Sequence, residues 1–479
     1  MIKLYNSLSR KKEPLPEAKK LRLFVCGPTV YDYPHIGHAR TYIFFDFFAK
    51  YLRSQGYEVE YLQNITDIDD KIIKRAAEDS KEPSELAKFF TNVYFEDMRA
   101  IGVDGITKYA RATEFIPEII NQVQRLIKKG YAYKIERDGW YFDISKDADY
   151  GKLSGRTIEQ AEDAVSRIDE AVGKKNKGDF CLWKFSKPGE PVWDTPIGAG
   201  RPGWHIEDTA ISEYIFKSPQ YEIHGGGVDL KFPHHEAEIA QQESASGLKP
   251  FVKIWMHTGT LLVDGKKMSK SLENFITIRD FLKKYDADVL RWITLTHHYR
   301  SPIDFSDESA QQAEVAIRGI KYLLAEFEFI IKTGSKQSQG EHFGASFVMQ
   351  KTDEVFNVAL EDDLDTQSAI VHIFSIVEDY LEDERKVKIW DIEPNAAEIL
   401  GKYIRDKFEI LGFHFKLPEI PSKIKELAEK RETFRVNKQF IQSDALRKEV
   451  DALGYIIEDT PLGPFLWPKN LDSNSRRKT

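Results

Sequence analysis

The chain has 479 residues, is 41% hydrophobic and 30% charged, and carries a formal net charge of −8 with only two cysteines, Cys26 and Cys181. That length exceeds one compact core and implies roughly three domains, while the composition excludes collagen-like and wholly disordered chains. Two cysteines exclude a disulfide framework and fit a reducing compartment.

The start, MIKLYNSLSRKKEP, reaches its basic cluster without an apolar core, so no secretory leader is expected. The most apolar stretch, YIFFDFFAKYL, is interrupted by Asp46 and Lys50 and is too short for a bilayer. A cytoplasmic enzyme or binding protein without a membrane partner is expected.

In chain order, LRLFVCG reads as a buried strand and Ala39 to Arg53 as a helix, because Ile43, Phe44, Phe47, Phe48 and Tyr51 recur at helical spacing. Gly56 stops the helix, and YEVEYLQNIT follows as a strand. This β-α-β unit places the loop after its first strand where such folds bind ligands. Helices are predicted from about Ser84 to Arg99 and from about Glu114 to Gly130. Between Tyr131 and Pro202 the pattern turns irregular around KKNKG and KPGEP, which suggests an inserted subdomain. Strand signals resume at YEIHGGG, then a helix from about His234 to Ser246 and a strand-like IWMHTGTLLVDG.

From about Ser306 to Gly412 the chain is charged, Leu-rich and nearly free of proline. A helical bundle is expected there, with a loop at KTGSKQSQGEHFG. PEIPSK then links to a small module that opens on the helix IKELAEKRETFRV. Residues 401–479 hold 16 Lys+Arg against 12 Asp+Glu, a modest basic excess in an acidic chain. The expected division is 1–130 and 203–305 as halves of a catalytic domain, 131–202 as the insertion, 306–412 as the bundle and 413–479 as the terminal module.

Two stretches carry chemistry. YPHIGHART lies where the first strand turns into the first helix, and a helix N-terminus with unpaired N–H groups favours phosphate. His35 and His38 add imidazole donors, and Gly37 lets a ligand approach the backbone; helix capping or a metal pair are the plainer alternatives. Far along the chain, DGKKMSKSLENF offers a glycine and a dense group of lysines and serines able to close over phosphates, with Lys267 and Lys270 neutralising charge.

HIGH and KMSKS in this order resemble the signatures of the class I aminoacyl-tRNA synthetases. The longer stretches FVCGPTVYDYPHIGHART, NITDIDDKIIKRA, GAGRPGWHIE, EIHGGGVDLKFPHHEAEIAQ and EDTPLGP resemble the cysteinyl branch of that family. The resemblance implies an α/β fold: a doubly wound, Rossmann-like parallel-sheet catalytic domain with an inserted subdomain, then a helical bundle and a small C-terminal anticodon-binding module. It implies ATP-dependent ligation of L-cysteine to tRNA(Cys) through an adenylate, with Mg2+, by a monomer. His35, His38, Lys267 and Lys270 become catalytic, and Thr29, Gly37, Gly227 and Asp229 join His35, His38 and Lys270 in holding ATP. Arg431, Arg435, Lys438 and Arg447 become candidates for tRNA contact.

Members of this branch hold a Zn2+ that binds the substrate thiolate, which rejects serine by coordination chemistry. Carried over one residue at a time, the ligands fall on Cys26, His234 and Glu238, the last two sharing a helix face at i, i+4. The family's remaining ligand, a cysteine directly after GWHIE, is Asp208 here. Carboxylate oxygen is an acceptable zinc donor, so a tetrad of Cys26, Asp208, His234 and Glu238 is expected to retain Zn2+, though with a harder donor set. Without the ion, Asp208 would bind the substrate ammonium or nearby backbone donors. Asp67, Asp69 and Asp70 read as a metal cluster or a helix cap, and Cys181 as a small buried hydrophobe.

Two other readings compete. A cysteine ligase of thiol-cofactor biosynthesis resembles the same core but lacks the extension past about residue 410. A non-catalytic RNA-binding paralogue would have no need to keep both phosphate-handling loops.

Overall fold

The computed structural model describes residues 1–156, 172–269, 272–334, 343–381 and 389–471. Two compact units form: Met1–Phe305 with Glu361–Leu364, and Ser306–Leu360 with Asp365–Thr479.

At the centre of the first unit lies Lys20–Val25, whose Leu21, Leu23, Phe24 and Val25 are all buried, as a strand covered on both faces requires. It belongs to a five-stranded sheet in the order Val252–Thr258, Tyr221–Gly227, Lys20–Val25, Glu58–Ile65, Lys108–Arg111, and every pair is parallel. The chain winds outward from Lys20–Val25 to one edge and later returns to build the other. The topological switch therefore lies between Lys20–Val25 and Tyr221–Gly227, where Val25 faces Gly225.

The helix that follows the first strand runs Ile36–Ser54. Its Phe45 ring packs so closely on the glycine run of Tyr221–Gly227 that a Cβ on Gly225 would come within 2.2 Å of it. Asp46, which breaks the aromatic run in sequence, is fully buried. Its carboxylate accepts from the Gly105 amide at 2.8 Å, Lys50 Nζ at 2.9 Å and Arg291 Nη2 at 3.0 Å.

Helices Pro83–Ala100 and His234–Ser246 match their predicted spans. The stretch predicted as a helix from Glu114 is a 3₁₀ turn, Ala112–Phe115, followed by the α-helix Ile116–Lys128. IWMHTGTLLVDG, predicted as one strand, is two. Val252–Thr258 ends the large sheet, and Leu261–Val263 joins Lys266–Lys267 and Ile303–Phe305 in another. Gly259 makes the break, since its backbone lies so close to Ser301 that a Cβ would stand 2.4 Å from that carbonyl oxygen.

Helix Ile206–Phe216 had no sequence signal: Ile206 to Ser212 are all buried although Glu207, Asp208, Thr209 and Ser212 are polar, so no apolar period marks it. Residues 132–202 include a four-stranded antiparallel sheet, Ala132–Ile135, Gly139–Phe142, Phe180–Phe185 and Gly200–Pro202, with Cys181 buried against Ile135 and Tyr141.

The second unit is helical, with Asp307–Thr333, Phe343–Glu361, Thr366–Leu381, Pro394–Ile410, Ser422–Val436 and Phe440–Ala452, and it ends in the hairpin Tyr455–Thr460/Gly463–Pro468. Glu361 itself belongs to the first unit. Most of the expected loop at KTGSKQSQGEHFG, residues 335–342, lies outside the described residues. Phe465 and Trp467 of the hairpin pack on Tyr322 of the long helix. Among the described residues, no helix is long and apolar enough to cross a membrane.

Candidate functional site

A cleft of about 550 Å³ opens at the switch point, and Cys26, Thr29, His35, Gly37, His38, Gly227, Asp229 and Lys267 all line it. Lys270 and Ser271 lie outside the described residues. The chain just past the second motif reaches the first through backbone pairing. The Ile36 amide donates to the Ile276 carbonyl at 3.1 Å and the Ile278 amide to the Pro34 carbonyl at 3.0 Å. Lys267, Met268 and Ser269 thus stand over the HIGH corner.

That corner is also a capping box built from imidazoles. His35 Nδ1 accepts from the amides of Gly37 at 3.1 Å and His38 at 3.3 Å, and His38 Nδ1 accepts from the His35 amide at 3.3 Å. The two rings stack with centroids 3.7 Å apart. Each Nδ1 being an acceptor, each ring carries its proton on Nε2, which leaves two N–H donors for a ligand. Burial drives both rings neutral, His35 down to about 2 with help from His38, and His38 down to about 4 with help from Lys71. The cap and donor readings of this motif are therefore the two ends of the same rings. A Cβ on Gly37 would lie 2.9 Å from the His35 ring and 3.0 Å from Met268, so glycine lets the stacked pair form beneath the second loop.

Beneath the cleft, Cys26 begins a buried polar cluster. Its Sγ lies 3.4 Å from Asp208 Oδ2 and 3.7 Å from Glu238 Oε1, and His234 Nε2 lies 2.9 Å and 3.0 Å from the same oxygens. Those separations approximate the edges of a tetrahedron with bonds of about 2.0–2.3 Å, so the four predicted residues fit a divalent cation. Asn64 Nδ2 donates to Asp208 Oδ1 at 2.5 Å, which leaves Oδ2 as the single oxygen turned to the cluster. His234 Nδ1 meets His205 Nδ1 at 2.8 Å, and the Trp204 ring, which lines the cleft, stacks on His234 with centroids 4.3 Å apart.

At His234 the electrostatics run opposite to the HIGH corner, whereas burial holds His205, His224 and His235 neutral. Burial alone would lower His234, but Glu238 and Asp208 outweigh it and raise the imidazole to about 10. Burial, with Glu238 and Asp208 beside it, pushes the Cys26 thiol well above its usual range. Burial likewise pushes Glu238 up, to about 7. The His234 imidazolium thus lies between the Asp208 and Glu238 carboxyl groups.

Sequence reasoning missed His224, His235 and Asn64. His224 Nε2 lies 3.3 Å and His235 Nε2 3.1 Å from Cys26 Sγ. All three sit inside quoted motifs, IHGGG, PHHE and QNIT, but no spacing rule joins residues from separate strands and helices. Asp69 caps helix Asp70–Glu78 through the Lys71 amide at 2.8 Å, Asp67 accepts from Thr113, and Asp70 pairs with Arg201.

Comparison with known proteins gives the ancestry. The tRNA synthetases class I (C) catalytic domain family matches residues 13–315. A cysteine–tRNA ligase of Thermococcus gammatolerans is 42% identical over 477 residues, with 96% of this chain and 98% of that protein covered. The chain belongs to the cysteine–tRNA ligase family of class I tRNA synthetases. A second member, from Thermoplasma volcanium, is 44% identical over 459 residues, covering 95% of this chain and 97% of its own. Mycobacterium tuberculosis methionyl-tRNA synthetase, solved with methionyl-adenylate, shares the fold at a TM-score of 0.60 and 16% identity, covering 82% of this chain and 90% of that one. The doubly wound α/β fold expected from sequence is thus that of its family.

In the second unit the basic candidates differ in their surroundings. Arg431 is buried, donating through both terminal nitrogens to Asp459. Arg435 pairs with Glu432 at 2.9 Å, and Arg447 donates to the Ile457 carbonyl at 3.0 Å with half its side chain exposed. Lys438 is exposed at a left-handed position with φ of 59°.

Proposed function

We propose that this chain is a cytoplasmic, monomeric ligase that joins L-cysteine to tRNA(Cys) through a cysteinyl-adenylate, using ATP with Mg2+. One observation carries the reading: a single cleft at the sheet's switch point has two imidazole donors and Lys267 at one side and the thiol of a buried four-donor cluster at its floor. Cys26 and Cys181, both buried and not joined in a disulfide, agree with a reducing compartment.

In this reading Thr29, Gly227 and Asp229 position the nucleotide, with Asp229 accepting from the ribose hydroxyls. His35 and His38 donate Nε2–H to the phosphates without adding charge. Lys267 and Lys270 balance the charge that grows as the cysteine carboxylate attacks the α-phosphate and pyrophosphate departs. Cys26, Asp208, His234 and Glu238 hold Zn2+, which when bound supplies a Lewis-acidic seat for the substrate thiolate and so rejects the serine hydroxyl. Residues 306–412 and 413–479 serve the tRNA. Arg431, through Asp459, braces the surface from which Arg435, Lys438 and Arg447 reach phosphate.

The test is cysteine-dependent ATP–pyrophosphate exchange, followed by product formation with and without tRNA. No exchange in the presence of ATP, Mg2+ and cysteine would reject the ligase reading. Product without tRNA would transfer the chemistry to a small acceptor.

A further inference from the structure

Two four-donor sets meet at Cys26 and Glu238. The first, with Asp208 and His234, is that of the reading above; the second comprises Cys26, His224, His235 and Glu238. We propose that the second set is an overlapping cation seat, deeper in the pocket, which takes a borderline divalent ion such as Zn2+ when Asp208 is lost or withdraws. The inference rests on the zinc reading of the preceding section.

Geometry supports it at each donor. His224 Nε2 and His235 Nε2 both face Cys26 Sγ, at 3.3 Å and 3.1 Å, and His224 Nε2 is 3.4 Å from Glu238 Oε2. These are again near the edge lengths of a tetrahedral site with zinc-like bonds. Glu238 divides its carboxylate between the seats: Oε1 faces Cys26 and His234, while Oε2 faces His224. That Oε2 is completely buried and makes no hydrogen bond, which is costly unless something cationic completes it.

The outer nitrogens of both imidazoles are already held, as metal-binding histidines require. His224 Nδ1 meets the Tyr221 hydroxyl at 2.6 Å, and His235 Nδ1 meets His257 Nε2 at 2.9 Å; His257 in turn meets Ser7 Oγ at 2.8 Å. Trp255 stacks on His224 with centroids 4.3 Å apart and fixes its plane. Donor chemistry also favours the deeper seat for a borderline ion. It offers two imidazoles and one carboxylate beside the shared thiolate, whereas the first offers one imidazole and two carboxylates.

The decisive variant is Asp208→Asn/His234→Ala, which removes both donors unique to the first seat. After desalting, metal analysis should still find about one Zn2+ per chain, and X-ray absorption should count two imidazole ligands. Adding His224→Ala should then empty it. A folded double variant without zinc, beside a wild type that holds zinc, overturns the second seat and leaves the first reading intact. A wild type without zinc rejects the first reading as well. If the double variant does not fold, Asp208→Asn alone is read by its imidazole count: two supports the deeper seat, and one overturns it.

Discussion

The histidine pair at the rim of the cleft and His234 in the cluster beneath its floor are shifted in opposite directions, the pair toward the neutral ring and His234 toward the cation. At the rim, His35 and His38 face backbone amides and a lysine, so burial wins and both rings are neutral. At the floor, His234 is more deeply buried, yet two carboxylates at 2.9 and 3.0 Å outweigh that burial and hold it cationic. Neutral Nε2–H donors suit a ligand that brings its own negative charge and counter-ions. An acidic pocket clamped on an imidazolium suits exchange of that proton for a metal ion.

The largest effect should come from separating the two ends of a rim imidazole. In His35→Asn the side-chain oxygen can still accept from the Gly37 and His38 amides, so the cap survives, while the Nε2–H donor disappears. Exchange of ATP with pyrophosphate should fall on the order of 10²–10³-fold, as for loss of one donor to developing charge, with little change in melting temperature. Equal losses of stability and rate would reduce His35 to a cap.

At the floor, Asp208→Cys would restore the softer donor of the family pattern. Zinc loss to a chelator should slow by roughly 10–100-fold, and Asp208→Ala should cut cysteine-dependent exchange by a comparable factor. Unchanged zinc loss in Asp208→Cys would mean that Oδ2 does not reach the ion.

Acid should test the opposite shifts. His38, and the buried His257 at about 3, stay neutral in the folded chain, so each contributes stability that is present above the unfolded value near 6.5 and lost as pH falls toward the folded one. His234 has the reverse sign: its stability is present below 6.5 and lost as pH rises toward about 10. From pH 7 to pH 5 the melting temperature of the metal-free chain should drop by on the order of 5 °C. A flat profile would mean that these rings are solvated.

What the sequence disclosed follows the same division. The rim is short-range: His35, Gly37 and His38 lie at the start of a helix whose large apolar residues recur at helical spacing, so both the helix and the corner were legible. The floor draws Cys26 from one strand end, Asp208 and His234 from separate helices, and only His234 with Glu238 share a helix face. Family resemblance found those four, because nothing in spacing could. Helix Ile206–Phe216, which carries Asp208, escaped notice because its buried positions include Glu207, Asp208, Thr209 and Ser212, so burial leaves no apolar period in the sequence. The split of IWMHTGTLLVDG was hidden for another reason: Gly259 turns the chain by approaching a backbone more than forty residues away.

The smallest effect belongs to Asn64, which bridges the loop after Cys26 and Asp208. Its Nδ2 holds Asp208 Oδ1 at 2.5 Å while its Oδ1 accepts from the Gly27 amide at 2.6 Å, directly beside Cys26. One amide thus sets the spacing between two donors and keeps Asp208 to a single oxygen facing the cluster. Asn64→Ala frees that carboxylate to rotate, and zinc affinity should weaken by about tenfold, as expected for loss of a residue that orients a ligand. Asn64→Asp should instead lower the melting temperature of the metal-free chain, because it sets a second carboxylate against Asp208 and removes the donor. Chelator competition distinguishes the two: if Asn64→Ala holds zinc as the wild type does, the orientation of Asp208 is fixed by its helix and the amide merely fills hydrogen bonds.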